Sequence, residues 1–114
     1  MTNVRGPEGD PTERQLDAYN ARDADAFVAC YSEDIVAEDA MGERILTGRA
    51  ALDARYRPMF AAYPALHCEV VSRIRVGEFV IHEEQVSGRK PEPEHVVAIY
   101  RVAGPVIVHV RFLR

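Results

Sequence analysis

Residues 67–113 hold the clearest strand pattern of the chain and read HCEVVSRIRVGEFVIHEEQVSGRKPEPEHVVAIYRVAGPVIVHVRFL. β-Branched residues recur through four segments, which we place at 67–76, 78–89, 94–102 and 106–113. Gly77, the KPEP stretch at 90–93 and the AGP stretch at 103–105 separate them. Connections this short exclude parallel crossovers, which need a dozen residues or more. The sequence therefore predicts an antiparallel meander of four strands.

Helical signals fill the residues before the meander. Asp10 and Pro11 suit the start of a helix that reaches about residue 21, and Asp23 suits the cap of a second helix expected to include Tyr31. A short strand pair at 35–40 and 44–47 follows, and Gly48 opens a third helix. Helices followed by a meander predict one α+β domain over residues 10–114, after a flexible arm at 1–9. We expect a cone-shaped, curved, mixed or antiparallel sheet of about six strands, packed against three N-terminal helices around an apolar pocket.

Composition excludes several classes of function. The net charge is −4, the charges of both signs are interspersed, and Lys90 is the one lysine, which argues against a nucleic-acid partner. Apolar runs fall far short of the ~20 residues that span a membrane, and no secretory leader is evident. Cys30 and Cys68 fit small buried hydrophobes, so a cytoplasmic location is expected. No metal-ligand spacing and no glycine-rich phosphate loop is present, so we expect neither a metal nor a cofactor.

Four segments in order resemble the nuclear transport factor 2-like superfamily. They are LDAYNARDADAF at 16–27, YSEDIV at 31–36, GRAAL at 48–52 and VAIYRV at 97–102. The resemblance covers about residues 12–114 and is greatest for the SnoaL-like and ketosteroid-isomerase-like branches. It implies a small-molecule pocket inside the cone. The fold hosts many reactions, so function has to be argued from the site.

The resemblance suggests a catalytic base and one further site residue. Steroid isomerases carry an aspartate base after the first strand, and the matching residue here is Asp39 in the Glu38-Asp39-Ala40 sequence. Desolvation beside an apolar cavity would make such a carboxylate a stronger base. The alternative is that Asp39 caps the turn that follows. Tyr56 matches the tyrosine of the third helix, and it fits an ordinary core residue equally well.

The oxyanion donors of the steroid isomerases are replaced in this chain. Gln15 and Ala98 stand at the two positions, and Gln15 can still donate one hydrogen bond whereas the side chain of Ala98 can donate none. Losing one such donor costs about 3–4 kcal/mol of transition-state stabilisation. The resemblance therefore does not extend to steroid isomerisation of the familiar kind.

Strand alternation offers a second set of polar groups. If Ala98 and Tyr100 face the pocket, period-2 alternation turns His82, Glu84, His109 and Arg111 inward as well. An inward Glu84–Arg111 pair beside the two histidines would form a polar floor. A register shifted by one residue would instead place these groups in solvent or at a dimer face.

These observations predict a cofactor-independent acid–base enzyme of the isomerase, dehydratase, cyclase or hydrolase type. Its expected substrate is a small apolar molecule. Asp39 is the expected base, and His82 or His109 the second acid–base group. The expected substrate-binding residues are Gln15, Tyr56, Glu84, Tyr100 and Arg111. The alternative is a non-catalytic ligand-binding or dimerisation domain with a filled pocket.

A homodimer is also expected. Val106, Val108, Val110 and Phe112 form an apolar stripe on the face of the last strand opposite His109. Exposed stripes of this kind mark interfaces, so we expect it on the outer face of the sheet, against a second copy of the chain.

Overall fold

A computed structural model describes residues 3–114 as three helices and one six-stranded sheet. The helices are α1 Pro11–Asn20, α2 Ala24–Val28 and α3 Arg49–Ala62. The strands are β1 Tyr31–Glu38, β2 Arg44–Thr47, β3 His67–Val76, β4 Phe79–Ser87, β5 Glu94–Ala103 and β6 Val106–Leu113. Their order in the sheet is β2-β1-β6-β5-β4-β3, with β1 parallel to β6 and the other neighbours antiparallel. The expected α+β class is confirmed, and the sheet stays open between β2 and β3. Within residues 3–114 no helix is both long and apolar enough to cross a membrane.

Local capping sets the helix starts as the sequence predicts. Asp10 Oδ1 accepts a hydrogen bond from the Thr12 amide at 2.9 Å, and Asp23 Oδ1 accepts one from the Ala26 amide at 3.1 Å. Gly48 precedes α3 with φ of +91°, a left-handed conformation that glycine adopts without steric cost.

The second helix is shorter than expected. It ends at Val28, and Tyr31 begins β1 instead of continuing the helix, which corrects the sequence prediction. The register pairs Tyr31 with Ile107 of β6, and the amide of Ile107 donates to the Cys30 carbonyl at 2.9 Å. Sheet pairing thus replaces the last helical turn.

An aromatic cluster fills the space between the helices and the inner face of the sheet. Phe27 is central, with its ring centroid 4.7 Å from that of Tyr56, 5.1 Å from Tyr31 and 5.5 Å from Phe60. Tyr19 packs edge-on against Phe60 at 5.4 Å. Edge-to-face and tilted pairs at these separations stabilise the core beyond their buried area.

Two β-bulges change which side chains face inward. In β3, Val70 pairs with Glu84 but Ser72 pairs with Glu83, so Val71 is an extra residue. In β6, Ile107 pairs with Val102 and His109 with Arg101, so Val108 is extra. A bulge of one residue moves the following side chains to the opposite face.

The bulge in β6 corrects the predicted outer stripe. Val110 is 1% exposed and belongs to the core, and Phe112 lines the internal cavity described below. These two side chains point towards the helices, so the outer face of β6 carries His109 and Arg111 instead.

The segment before α1 contacts the helix. Arg5 forms an ion pair with Asp17 at 2.9 Å, and the Gly6 amide donates to Glu13 Oε2 at 3.0 Å. Residues 1 and 2 of the predicted arm lie outside the described residues, and flexibility of residues 1–9 stays a prediction.

Candidate functional site

A cavity of about 50 Å³ lies between helices α1 and α3 and the inner face of the sheet. One water requires about 10–15 Å³ on this measure, so the cavity holds about three to five water-sized groups. Four tyrosines line it, namely Tyr19, Tyr31, Tyr56 and Tyr100. The cavity is therefore small, and four phenol side chains line it.

Gln15 organises two of these hydroxyls. Its side-chain nitrogen donates to the Tyr100 oxygen at 3.1 Å, and its side-chain oxygen accepts from the Tyr31 hydroxyl at 3.3 Å. The nitrogen also donates to the Thr12 carbonyl at 3.0 Å, which fixes the orientation of the amide. The Tyr100 oxygen is the acceptor in this bond, and its hydroxyl donates no hydrogen bond to any of residues 3–114, so it can still donate one to a ligand in the cavity.

Burial keeps the phenols protonated. It raises the pKa of Tyr31 and Tyr100 well above the ordinary value of 10, with the charge of Glu84 adding to the effect. Burial also raises the pKa of Tyr56. These groups are therefore neutral hydrogen-bond donors near neutral pH.

Glu84 is the carboxylate of the cavity wall. It lies on β4, is 6% exposed, and faces inward as strand alternation predicts. The thiol of Cys68 lies beside it on β3, and burial followed by the charge of Glu84 raises the pKa of that thiol. Cys68 is therefore a poor nucleophile, and Glu84 is the carboxylate that lines the cavity.

His82 lies behind the cavity wall. It is completely buried, with Nδ1 3.8 Å from Glu84 Oε2 and Nε2 3.8 Å from Glu13 Oε2. Its ring packs edge-on against Tyr100 at a centroid distance of 5.3 Å. Neither ring nitrogen forms a hydrogen bond within the described chain. His82 therefore packs between the carboxylates of Glu13 and Glu84 without a hydrogen bond to either.

A buried ion pair that the sequence did not predict lies next to His82. Arg73 on β3 donates to Glu13 Oε2 through Nε at 2.8 Å and to Oε1 through Nη2 at 2.9 Å. Both side chains are about 5% exposed or less. The β3 bulge at Val71 turns Arg73 inward, beside its register partner His82. Simple alternation along β3 gives no signal for this.

Asp39 does not line the cavity, which corrects the expected location. Its Oδ1 accepts hydrogen bonds from the Met41 and Glu43 amides, both at 2.9 Å. The carboxylate therefore caps the turn between β1 and β2, as the alternative interpretation held. A catalytic role for Asp39 stays a prediction.

The polar floor forms only in part. His82 and Glu84 face inward, but His109 and Arg111 lie on the outer face, where both bind Glu38 Oε1, at 2.7 and 3.2 Å. Hydrogen bonds from His109 and Arg111 lower the pKa of Glu38. The predicted Glu84–Arg111 pair is therefore wrong, because the bulge at Val108 shifts the phase of β6.

Four of the five residues predicted to bind substrate do line the cavity. These are Gln15, Tyr56, Glu84 and Tyr100, and Arg111 is the exception. Three arginines that the sequence did not single out also line it: Arg55, Arg89 and Arg114. No local pattern distinguishes them from ordinary surface arginines, because they come from three separate elements.

Comparison with known proteins identifies relatives of the whole chain. Residues 12–112 match a family model described as a SnoaL-like domain. A comparison with curated protein sequences gives no match. The solved structure of an uncharacterized cystatin-fold protein from Novosphingobium aromaticivorans is 28% identical, with a TM-score of 0.84 over 100% of this chain and 99% of that one.

Two further structures share the fold at lower identity. A protein proposed to be a polyketide cyclase, from Sinorhizobium meliloti, is 21% identical, with a TM-score of 0.81 over 98% of this chain and 99% of that one. A protein proposed to be a ketosteroid isomerase, from Kribbella flavida, is 22% identical, with a TM-score of 0.71 over 90% of this chain and 73% of that one. At these identities the likeness extends to the fold.

Proposed function

Because the chain belongs to the SnoaL-like domain family, we propose that its cavity binds a small, largely apolar molecule and carries out acid–base chemistry on it without a cofactor. The fold hosts many reactions, so the proposal depends on the site. One observation carries it: a carboxylate, Glu84, and a phenol with an uncommitted hydrogen, Tyr100, line the same cavity.

The reaction best suited to this pair is proton abstraction next to a carbonyl group. Glu84 would take the proton from the carbon, the C–H electron pair would form a carbon–carbon double bond to the carbonyl carbon, and the π pair of the C=O bond would move to the oxygen to give an enolate. Tyr100, held by Gln15, would donate a hydrogen bond to that oxygen as its charge develops. For a substrate with a carbon–carbon double bond at the β,γ position the product of this step is a dienolate, and return of the proton from Glu84 to its γ-carbon would complete an isomerisation to the conjugated carbonyl compound. In this scheme His82 is a positioning residue for Glu84 and Tyr100.

The base assignment differs from the one that the resemblance implies. Asp39 accepts hydrogen bonds from two turn amides, whereas Glu84 is within the cavity wall. His109 is paired with Glu38 on the outer face of the sheet. Catalytic roles for Asp39 and His109 therefore stay predictions, and Asp39 is included in the test.

The test is deuterium exchange into butanone, a small ketone, followed by proton NMR in heavy water. We expect the wild type to accelerate exchange and Glu84→Gln to lower the rate about 100-fold or more, since a positioned base contributes about 10²–10⁴-fold. Tyr100→Phe should lower it about 100- to 1,000-fold, the cost of one oxyanion donor. Glu69→Gln, at an exposed carboxylate on the neighbouring strand β3, is the matched control.

Asp39→Asn separates the two base assignments. If Glu84 is the base, this variant exchanges butanone at the wild-type rate. Loss of exchange in Asp39→Asn together with full activity in Glu84→Gln would overturn the role given to Glu84.

A non-catalytic binding or dimerisation domain is the second candidate. The small cavity favours it, because rings of the aromatic cluster occupy much of the cone. Its signature is a small molecule that binds the cavity, seen as NMR shifts of cavity residues, while deuterium exchange stays at the rate of buffer alone.

The proposed location is the cytoplasm. Cys30 and Cys68 are both free and buried, and free thiols are typical of reducing compartments. Fractionation of the producing cells would test this.

A further inference from the structure

Three arginines converge at the mouth of the cavity. Arg55 comes from α3, Arg89 follows β4 and Arg114 follows β6. Their side chains are partly or largely exposed, whereas Gln15, Glu84 and Tyr100, in the same wall, are buried. The guanidinium groups therefore lie at the outer end of the cavity and the acid–base groups at its inner end.

The positive charge at this mouth is only partly balanced. Arg89 donates two hydrogen bonds to the Glu94 carboxylate, at 2.5 and 3.0 Å. The Lys90 Nζ atom lies 3.5 Å from Oε1 of the same carboxylate. Arg114 approaches Glu94 only to 3.9 Å. Arg55 has no ion pair or hydrogen bond with any of residues 3–114. Arg55 and Arg114 therefore have donors available for a ligand.

This concentration of charge is local. The whole chain carries a net charge of −4, so an arginine-lined mouth does not reflect an excess of basic residues. The field of the arginines also reaches into the cavity: burial raises the pKa of Tyr56, and Arg114 and Arg55 are the main groups that oppose this rise.

We propose that the ligand is a short carboxylic acid, whose carboxylate is bound by Arg55 and Arg114 at the mouth while its uncharged end lies beside Glu84 and Tyr100. A guanidinium group matches a carboxylate through two parallel hydrogen bonds. Glu84 repels a negative group from the inner end, which sets this orientation. The cavity volume of about 50 Å³ limits the inner part of the ligand to a few heavy atoms.

This inference rests on the proposed function, because it names the substrate class of the same cavity. The probes are levulinate, a short carboxylate that carries a ketone, and methyl levulinate, its uncharged ester. Binding is measured by titration with NMR detection of the protein amides. We expect levulinate to bind about 10- to 100-fold more tightly than the ester, which is the range for hydrogen bonds to a charged group.

Matched variants locate the preference. Arg55→Gln and Arg114→Gln should each remove most of the preference for levulinate, and Arg55→Lys should keep part of it. Arg44→Gln changes the net charge equally at an exposed arginine of β2 that does not line the cavity, and it should leave the preference unchanged. Inorganic phosphate, added as a competitor, should displace levulinate only weakly because it has no apolar body.

Several results would overturn the inference. They are equal binding of acid and ester, no binding of levulinate, the same loss in Arg44→Gln as in Arg55→Gln, or displacement by phosphate at the concentration of levulinate itself. Butanone exchange is measured separately on the same wild-type protein. Exchange of butanone without a preference for levulinate would therefore refute the proposal that the ligand carries a carboxylate. It would not contradict the proposed acid–base function.

Discussion

Glu13 and Arg73 form an ion pair in which both side chains are buried, and the pair lies next to His82 behind the cavity wall. Glu13 Oε2 also accepts from the Gly6 amide and lies 3.8 Å from His82 Nε2. The pair therefore packs against His82, which lies behind the cavity wall and 3.8 Å from Glu84. Breaking one half of a buried pair is costly because the remaining charge lacks its partner.

We predict that Arg73→Met destabilises the protein by about 3 kcal/mol, the lower end of the cost of breaking a buried pair, because Arg5 and Arg75 remain 3.6 Å from Glu13. The combined variant Glu13→Gln with Arg73→Met should lose less, because no unpaired carboxylate remains. Chemical denaturation of the two variants and the wild type measures the difference. Equal losses in the single and combined variants would contradict this account.

The same pair makes stability depend on pH. Burial alone would raise the pKa of Glu13, yet hydrogen bonds from Arg73 and Gly6 lower it below the ordinary value of 4.5. A pKa that is lower in the folded than in the unfolded state gives stability that is present above about pH 4.5 and is lost as pH falls through the folded value.

We therefore predict that the wild type loses stability between about pH 5 and pH 3, and that Glu13→Gln loses less of it over this range. Melting temperatures at each pH provide the measurement. Since other carboxylates with lowered pKa values, such as Glu38 and Asp10, also contribute, the comparison is between the variant and the wild type. Parallel pH profiles would exclude a contribution from Glu13.

At the scale of elements, the connection after β4 is held against the loop before β3. Gly88 has φ of +91°, and a Cβ atom there would lie 2.1 Å from the Ala65 carbonyl oxygen and 2.4 Å from its carbon. These are backbone atoms, so neither can move aside alone. Gly104, between β5 and β6, has φ of +58°, and a Cβ atom there would meet none of the atoms of residues 3–114 within 4 Å.

The two glycines form a matched pair for a prediction. Gly104→Ala should cost about 1–2 kcal/mol, the strain of a left-handed residue that is not glycine. Gly88→Ala should cost about 1–3 kcal/mol more, because the added carbon overpacks the backbone of residue 65. Denaturant unfolding gives both values. Similar losses for the two variants would show that the Ala65 loop moves freely.

The outer face of the sheet is the surface that concerns the whole molecule. Ile74, Ile81 and Ile99 pair across β3, β4 and β5 in one row on that face and are partly exposed. Charged residues of both signs lie around the row and form ion pairs, including Glu83 with His95 and Glu38 with Arg111. A face that carries apolar residues and charges of both signs can be complementary to itself about a twofold axis.

We predict a homodimer through this face, and not through the stripe expected on β6. Ile81→Glu should convert the protein to a monomer, because it buries an unpaired charge at the centre of the interface. Gln85→Glu, further along the same face of β4 and exposed, is the control and should stay dimeric. Sedimentation velocity measures the mass, and a wild-type monomer at high micromolar concentration would refute the dimer.

Short-range interactions explain what the sequence alone determined. The helix starts could be predicted because the caps at Asp10, Asp23 and Gly48 depend only on neighbouring residues. The strand segments and the inward faces of Glu84 and Tyr100 could be predicted because side chains alternate along β4 and β5. The order of the segments was also sufficient for the superfamily resemblance.

Tertiary structure decided the rest of the site. The extra residues at Val71 and Val108 depend on how twisted neighbouring strands pair, which no local pattern encodes. They turn Arg73 inward and move His109 and Arg111 to the outer face. Asp39 likewise caps a turn whose geometry depends on the pairing of β1 with β2. The three arginines at the mouth of the cavity come from α3, the loop after β4 and the end of β6. These segments are far apart in the chain and become neighbours only when the sheet and the helices pack.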